Sequence, residues 1–428
     1  MKARLSGRHL GNLLILSFLL LGAAWAQTEQ TLLTFTGTNG ASPYTGLIED
    51  SKGHFFGATS NGGANGTGVV YALVKNNNGQ WKQKILYQFG VSASGDGADP
   101  VMDHLAIDSH GNLYGTTAGG GAYGGGTVFK LSPASPYWKE TILYCFGIND
   151  AVGGSDPQGG VAVGPNGIVY GTTNSGGGGG YCGGGGCGVV FALRNKAGAW
   201  TQTVLHVFAG IPSGYQCNVA YDGENPYRMT PVLDSGGNIF GTTSQGGDGC
   251  GNKGTIWELS PAGGAKWNYT EIYVPIGFDP LANPDAGVSV DGQDNVYGTT
   301  GGGVIFELVK GQPYQEEILY QGDSNDGGDY DTVTLDTSGN LFWTSQSGFE
   351  GEGDKGAVHE LSPDGQGGWT YSTIYKFPSN PPTDGTQPFA GVMIDASGNL
   401  YGTTVTGGTT GSCTQYPYCN GTVWEITP

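Results

Sequence analysis

Positive charge is what this 428-residue chain has least of: 17 Lys and Arg face 36 Asp and Glu, leaving a net charge of −19. Nucleic acids and anionic membranes are bound by neutralising phosphate, so neither is expected as a partner. Histidine numbers only six, and His54, His104, His110, His206 and His359 fall in different stretches of the chain, which argues against a metal centre built from imidazoles. After residue 26 no apolar run reaches the roughly 20 residues that a membrane helix needs. No Gly-X-Y period runs through the chain, which excludes collagen. A Gly-x-Ser-x-Gly elbow and a Walker loop are both missing, so the commonest hydrolase and nucleotide-binding signatures are excluded as well.

Glycine, by contrast, is abundant: 83 residues, roughly 19% against a usual ~7%. Inside a helix each Gly costs ~1 kcal/mol relative to Ala, so a helical bundle does not fit. Disorder does not fit either. The 9 Trp, 23 Tyr and 16 Phe offer far more apolar surface than disordered chains carry. What is left is an all-β protein with many Gly-built turns.

Lys2, Arg4 and Arg8 precede an apolar run from Leu13 to Leu21, and Ala24-Trp25-Ala26 supplies a small-x-small cleavage pattern. Residues 1–26 therefore read as a secretory signal peptide. Their removal takes three basic residues and no acid, so residues 27–428 would carry −22. A secreted protein, extracellular or periplasmic and without a membrane span, is expected. The seven Cys suit an oxidising compartment, because three local pairs sit in loop-like sequence: Cys182 with Cys187, Cys217 with Cys250, and Cys413 with Cys419. Their spacings are not Cys-x2-Cys and no His accompanies them, which disfavours zinc. Cys145, within Ile142-Leu143-Tyr144-Cys145-Phe146, reads as a buried thiol in a strand.

An internal repeat sets the architecture. Gly111-Asn112-Leu113-Tyr114-Gly115-Thr116-Thr117 recurs with variations, its aromatic residue falling at Phe56, Tyr114, Tyr170, Phe240, Tyr297, Phe342 and Tyr401. Those seven copies recur about every 57 residues, and seven such units account for residues 27–428. Each unit holds four β-type segments bounded by Gly, Asn, Asp and Pro; in the second they are 105–108, 112–117, 126–131 and 138–146. Four strands per unit and seven units predict a seven-bladed β-propeller. The last unit stops after its third segment, 421–426, and the missing fourth matches Thr31-Leu32-Leu33-Thr34-Phe35. The N-terminal strand should therefore close the ring, leaving no raw edge.

The series formed by Gly-Asn-Leu-Tyr-Gly-Thr-Thr, a Gly-rich loop and Gly-Thr-Val-Phe-x-Leu resembles the GloVer (Gloeo/Verruco) tandem-repeat proteins of bacteria, over nearly all of residues 31–428. The resemblance implies export and a propeller-like repeat fold, and brings no catalytic residues with it. Members of that family often carry a C-terminal surface anchor, and none is read here.

The four strands of each blade divide the loops between two faces. On one, the first and second strands are joined by short Asp-x-x-Gly turns (Asp108–Gly111, Asp234–Gly237, Asp336–Gly339, Asp395–Gly398), in which Asp caps its own turn and Gly supplies positive φ. The Trp opening the fourth strand (Trp81, Trp138, Trp200, Trp267, Trp369) reads as packing. On the other face lie long Gly-rich loops, all six paired Cys, and an Asp-Gly-x-x-Pro theme at 96–100, 222–226 and 384–388. That theme reads either as turn chemistry or as part of a binding face. Tyr123, Tyr181, Tyr215, Tyr221, Tyr227, Tyr416 and Tyr418 stand there among Gly, Asn and Asp, a composition suited to glycan or protein surfaces. An acidic patch, Asp323, Asn325, Asp326, Asp329 and Asp331 with Glu350, Glu352 and Asp354, would be relieved by a hard cation with oxygen ligands, so calcium is the one cofactor suggested. The reading that follows is an exported binding or interaction propeller for extracellular polysaccharide or a surface protein. The alternative is a carbohydrate-active enzyme, a glycoside hydrolase or polysaccharide lyase, using acids at the channel mouth.

Overall fold

The computed structural model describes residues 28–90, 95–100, 103–134, 138–148, 150–178, 180–264, 266–322, 328–347, 355–377, 385–408 and 420–427. Its strands form seven antiparallel blades, each feeding the next. The second blade runs Ala106–Ile107, Leu113–Thr117, Gly124–Ser132, Lys139–Gly147 from the axis outward. The seventh takes Met393–Ile394, Leu400–Gly407 and Thr422–Thr427 from the C-terminal end and completes itself with Thr28–Thr34. Thr28 pairs with Thr427 and Thr34 with Thr422, so the N-terminal strand closes the ring.

The innermost strands are only two or three residues long, because seven of them crowd round one axis. Glycine makes that approach possible. A Cβ at Gly46 would meet the Asp103 and Gly391 carbonyl oxygens at 3.3 and 3.5 Å, and one at Gly160 would meet the Thr230 hydroxyl at 2.3 Å and the His104 carbonyl at 2.7 Å.

Seven apolar clusters fill the seams, each drawn from two adjacent blades, as where Phe56 and Phe89 meet Leu113 and Phe129. The Trp opening the outer strand packs there: Trp138 lies 6.0 Å from Phe56, and Trp267 lies 6.0 Å from Tyr170, in each case a ring of the preceding blade. The repeated Thr-Thr stitches the ring together. Its first hydroxyl donates to a carbonyl of the next blade, Thr116 to Gly159 at 2.7 Å, Thr242 to Ala286 at 2.8 Å and Thr403 to Thr45 at 3.0 Å. Its second bonds within the blade, as Thr117 does with Thr127 at 2.8 Å.

Both recurrent Asp motifs have structural work. In the Asp-x-x-Gly turns, Asp108, Asp336 and Asp395 each accept the backbone N–H groups two and four residues on. The Asp-Gly-x-x-Pro loops, and the Pro-ended loops 39–43, 153–157 and 280–284 in the same register, are latches between blades. The residue before each Pro (Ser42, Asp99, Asp156, Asn225, Asn283, Gln387) has φ between 54° and 59°. Its N–H donates to the preceding blade, as Asn225 to Cys187, while its carbonyl accepts from its own blade, as from Ser244. The Pro ring then covers the Gly that opens the preceding blade's third strand: a Cβ at Gly126 would lie 2.7 Å from Pro157. A turn sequence thus becomes a repeated inter-blade clasp.

Candidate functional site

Each clasp ends beside the axis, and the residues that follow its Pro stand at the channel mouth. Where the first, third and seventh blades carry Tyr44-Thr45-Gly46, Gln158-Gly159-Gly160 and Phe389-Ala390-Gly391, the second brings Asp103, the fourth Arg228 and the sixth, which lacks the Pro, Asp331. The three meet in a cavity of about 710 Å3, lined also by Tyr44, Tyr227, Phe389, Asp285, Asn174, Asn225, Asn252, Asn283, Gln245 and Gln346.

Arg228 reaches across this mouth from the fourth blade to the seam of the seventh and first. Its guanidinium carbon lies 4.4 Å from the Phe389 ring centroid, 5.2 Å from Tyr44 and 5.0 Å from Tyr227. Tyr44 and Phe389 brace one another edge to face at 5.0 Å. The backbone of Arg228 holds φ at 49°, a conformation uncommon for a long side chain. Its Nε is buried without a hydrogen-bond partner, and Asn174 Oδ1 in the same wall is likewise buried and unpartnered.

On the floor, Asp103 is 8% exposed and its Oδ2 lies 3.1 Å from His104 Nδ1. Burial first, then the charge of Asp103, push the Asp331 carboxyl up to about 8, against the pull of Arg228. Burial opposes charging of His104, but Asp103 and Asp331 outweigh it and raise its pKa. The floor therefore holds a carboxyl, Asp331, that keeps its proton to higher pH than an ordinary carboxylate, in the same cavity as Asp103.

Of the tyrosines singled out from sequence, only Tyr227 lines this cavity. Tyr123, Tyr181 and Tyr215 are exposed, and the Tyr221 hydroxyl accepts the Gln216 N–H of its own loop at 2.9 Å. Tyr416 and Tyr418 lie outside the described residues, as do Asp323, Asn325, Asp326, Glu350, Glu352, Asp354, Cys413, Cys419 and residues 1–26. Asp329 falls in the strand Gly328–Tyr330. Asp331 belongs to the channel floor rather than to the acidic loop before it. Sequence reasoning missed Arg228, Tyr44, Phe389, Asp103 and Asp285. The available signal was their register: each stands within three residues of a clasp Pro.

Disulfides join Cys182 to Cys187 and Cys217 to Cys250, while Cys145 is free and half-buried in Lys139–Gly147. The Glu224 carboxyl, its pKa raised by burial, approaches the Cys182 sulfur to 2.8 Å. Cys217–Cys250 ties the loop entering the fourth blade to the loop after that blade's second strand. No helix among the described residues is long and apolar enough to cross a membrane.

The Gloeobacter/Verrucomicrobia repeat matches residues 23–226 and again 225–428. The chain belongs to the Gloeobacter/Verrucomicrobia repeat family. Comparison with curated proteins finds no match. Among solved structures, this family member is similar to a protein from Lactobacillus plantarum at 13% identity and TM-score 0.51, covering 88% of this chain and 99% of that one. It is similar at 13% identity and TM-score 0.51 to a hypothetical selenium-binding protein from Sulfolobus tokodaii, covering 76% of each chain. The WD40 propeller domain of Doa1 aligns at 12% identity and TM-score 0.50, covering 94% of this chain and 97% of that domain. At such identities the likeness extends to the fold alone.

Proposed function

We propose that this repeat protein is an exported, non-catalytic propeller that binds carbohydrate at the mouth of its channel. The observation that carries the reading is the axial cavity of about 710 Å3, which combines aromatic faces with carboxamides and carboxylates. Aromatic rings give a sugar an apolar platform, while Asn, Gln and Asp supply the paired donors and acceptors its hydroxyls need. Export rests on the N-terminal pattern of residues 1–26, with which the two disulfides are compatible. The test is binding of residues 27–428 to a panel of soluble polysaccharides, with reducing ends assayed alongside. Saturable binding without new reducing ends supports the reading; no binding to any glycan overturns it.

The raised pKa of Asp331, in one cavity with Asp103, favours one second reading, a hydrolase with Asp331 as proton donor. New reducing ends, lost in Asp331→Asn, would establish it. A structural calcium ion in the acidic loop belongs to the same proposal. EDTA should then lower the melting temperature, Asp329→Ala should abolish the difference, and an unchanged melt removes the ion from the account.

A further inference from the structure

We infer that the axial cavity recognises a sugar acid, with Arg228 taking the carboxylate of a uronate residue. The inference rests on the carbohydrate reading above and names the ligand class of that site. Among the described residues, Arg228 is the one Lys or Arg in the cavity wall. Its guanidinium carbon lies over three aromatic rings, 4.4 to 5.2 Å from their centroids. None of the described acids forms an ion pair with it, and its buried Nε has no partner. A buried donor left unmade is costly, about 1–3 kcal/mol and more for a charged group, so such a group points to a ligand that completes it.

A planar fork of N–H donors matches the two oxygens of a carboxylate, whereas a neutral polyol offers only single acceptors. An anion enters against three carboxyl residues in the wall, Asp103, Asp285 and Asp331, with Arg228 supplying the attraction. Burial and the charge of Asp103 raise the pKa of Asp331, which lessens its share of that repulsion. Asn174 Oδ1, buried and unpartnered in the same wall, accepts from a sugar hydroxyl. Carboxylate and hydroxyl thus each find a complementary group: the guanidinium and the Asn174 acceptor.

The test uses residues 27–428 and oligomers of galacturonate, glucuronate and mannuronate. Each is compared with its methyl ester, at fixed ionic strength and in EDTA so that calcium bridging plays no part. The ester keeps the ring and hydroxyls and removes the charge. The inference expects at least one acid to bind tenfold or more tighter than its ester. Arg228→Lys should weaken that acid by a similar factor without moving the melting temperature, and Arg228→Met should erase the preference. Equal binding of acid and ester, or a preference that survives Arg228→Met, overturns the inference and leaves the carbohydrate reading standing. So does binding of neutral glycans alone. Failure of every glycan, acidic or neutral, overturns both. The acid–ester comparison on the unsubstituted protein decides the matter even if an Arg228 variant does not fold.

Discussion

At the scale of single residues, the seams between blades carry carboxyl groups that titrate far from their usual range. Burial first, then Asp96, push Glu140 up to about 7, although the Tyr87 hydroxyl donates to it at 2.7 Å. Burial and Asp222 push Glu271 to about 7 as well. A carboxyl whose pKa is raised on folding binds more protons in the native state than in the unfolded one. Its contribution is therefore present at low pH and is lost as pH rises from about 4.5 through 7. Melting temperature should fall between pH 5 and pH 8, and the double variant Glu140→Gln, Glu271→Gln should flatten the profile by removing roughly 1–2 kcal/mol per site after allowance for solvent screening. Differential scanning fluorimetry across that range checks it; a double variant with the parent's slope refutes the assignment. Neither Glu was legible as special in the sequence, because its pKa depends on a partner in another loop. Arg228 was hidden for a similar reason. Its role depends on Tyr44 and Phe389, 184 and 161 positions away, which only ring closure brings to it.

At the scale of elements, the Gly that opens each third strand is fixed by two constraints at once. Gly254 has φ +77, and a Cβ there would meet the Thr243 carbonyl at 2.0 Å and Pro284 at 3.0 Å. Gly263 also has positive φ, at +89, but nothing lies within 4 Å of its Cβ position. Gly263→Ala should therefore cost about 1 kcal/mol, the conformational term alone. Gly254→Ala should cost more than about 3 kcal/mol, because neighbouring backbone must also move. Chemical denaturation of the two variants measures the gap, and equal losses would contradict the clasp. The strands themselves were readable, since alternation and turn residues repeat seven times. Asp-Gly-x-x-Pro was readable as a turn but not as an inter-blade clasp. Its function lies in which carbonyl its N–H meets, Thr67 for Asp99 or Cys187 for Asn225, and local sequence does not contain that pairing.

At the scale of the whole molecule, seven nearly equivalent seams make a ring whose stability depends on its closure. Six seams join consecutive units, but the seventh blade borrows Thr28–Thr34 from the other end of the chain, with Phe35 buried at 1% exposure behind it. Count and closure were legible because the motif is regular and the final unit is one strand short. The single axial site was not, because it arises from departures from the repeat in the second, fourth and sixth blades that converge only at the axis. Removing residues 1–27 should leave the melt unchanged, since the closing strand begins at Thr28. Removing residues 1–35 takes that strand and Phe35 together. Loss of a buried Phe alone costs about 3–5 kcal/mol, and the bared Thr422–Thr427 strand becomes an edge open to pairing with other chains. The shorter chain should melt well below the parent and associate in a concentration-dependent way by light scattering, whereas a monomer of unchanged melting temperature would show that the ring holds without its seventh outer strand.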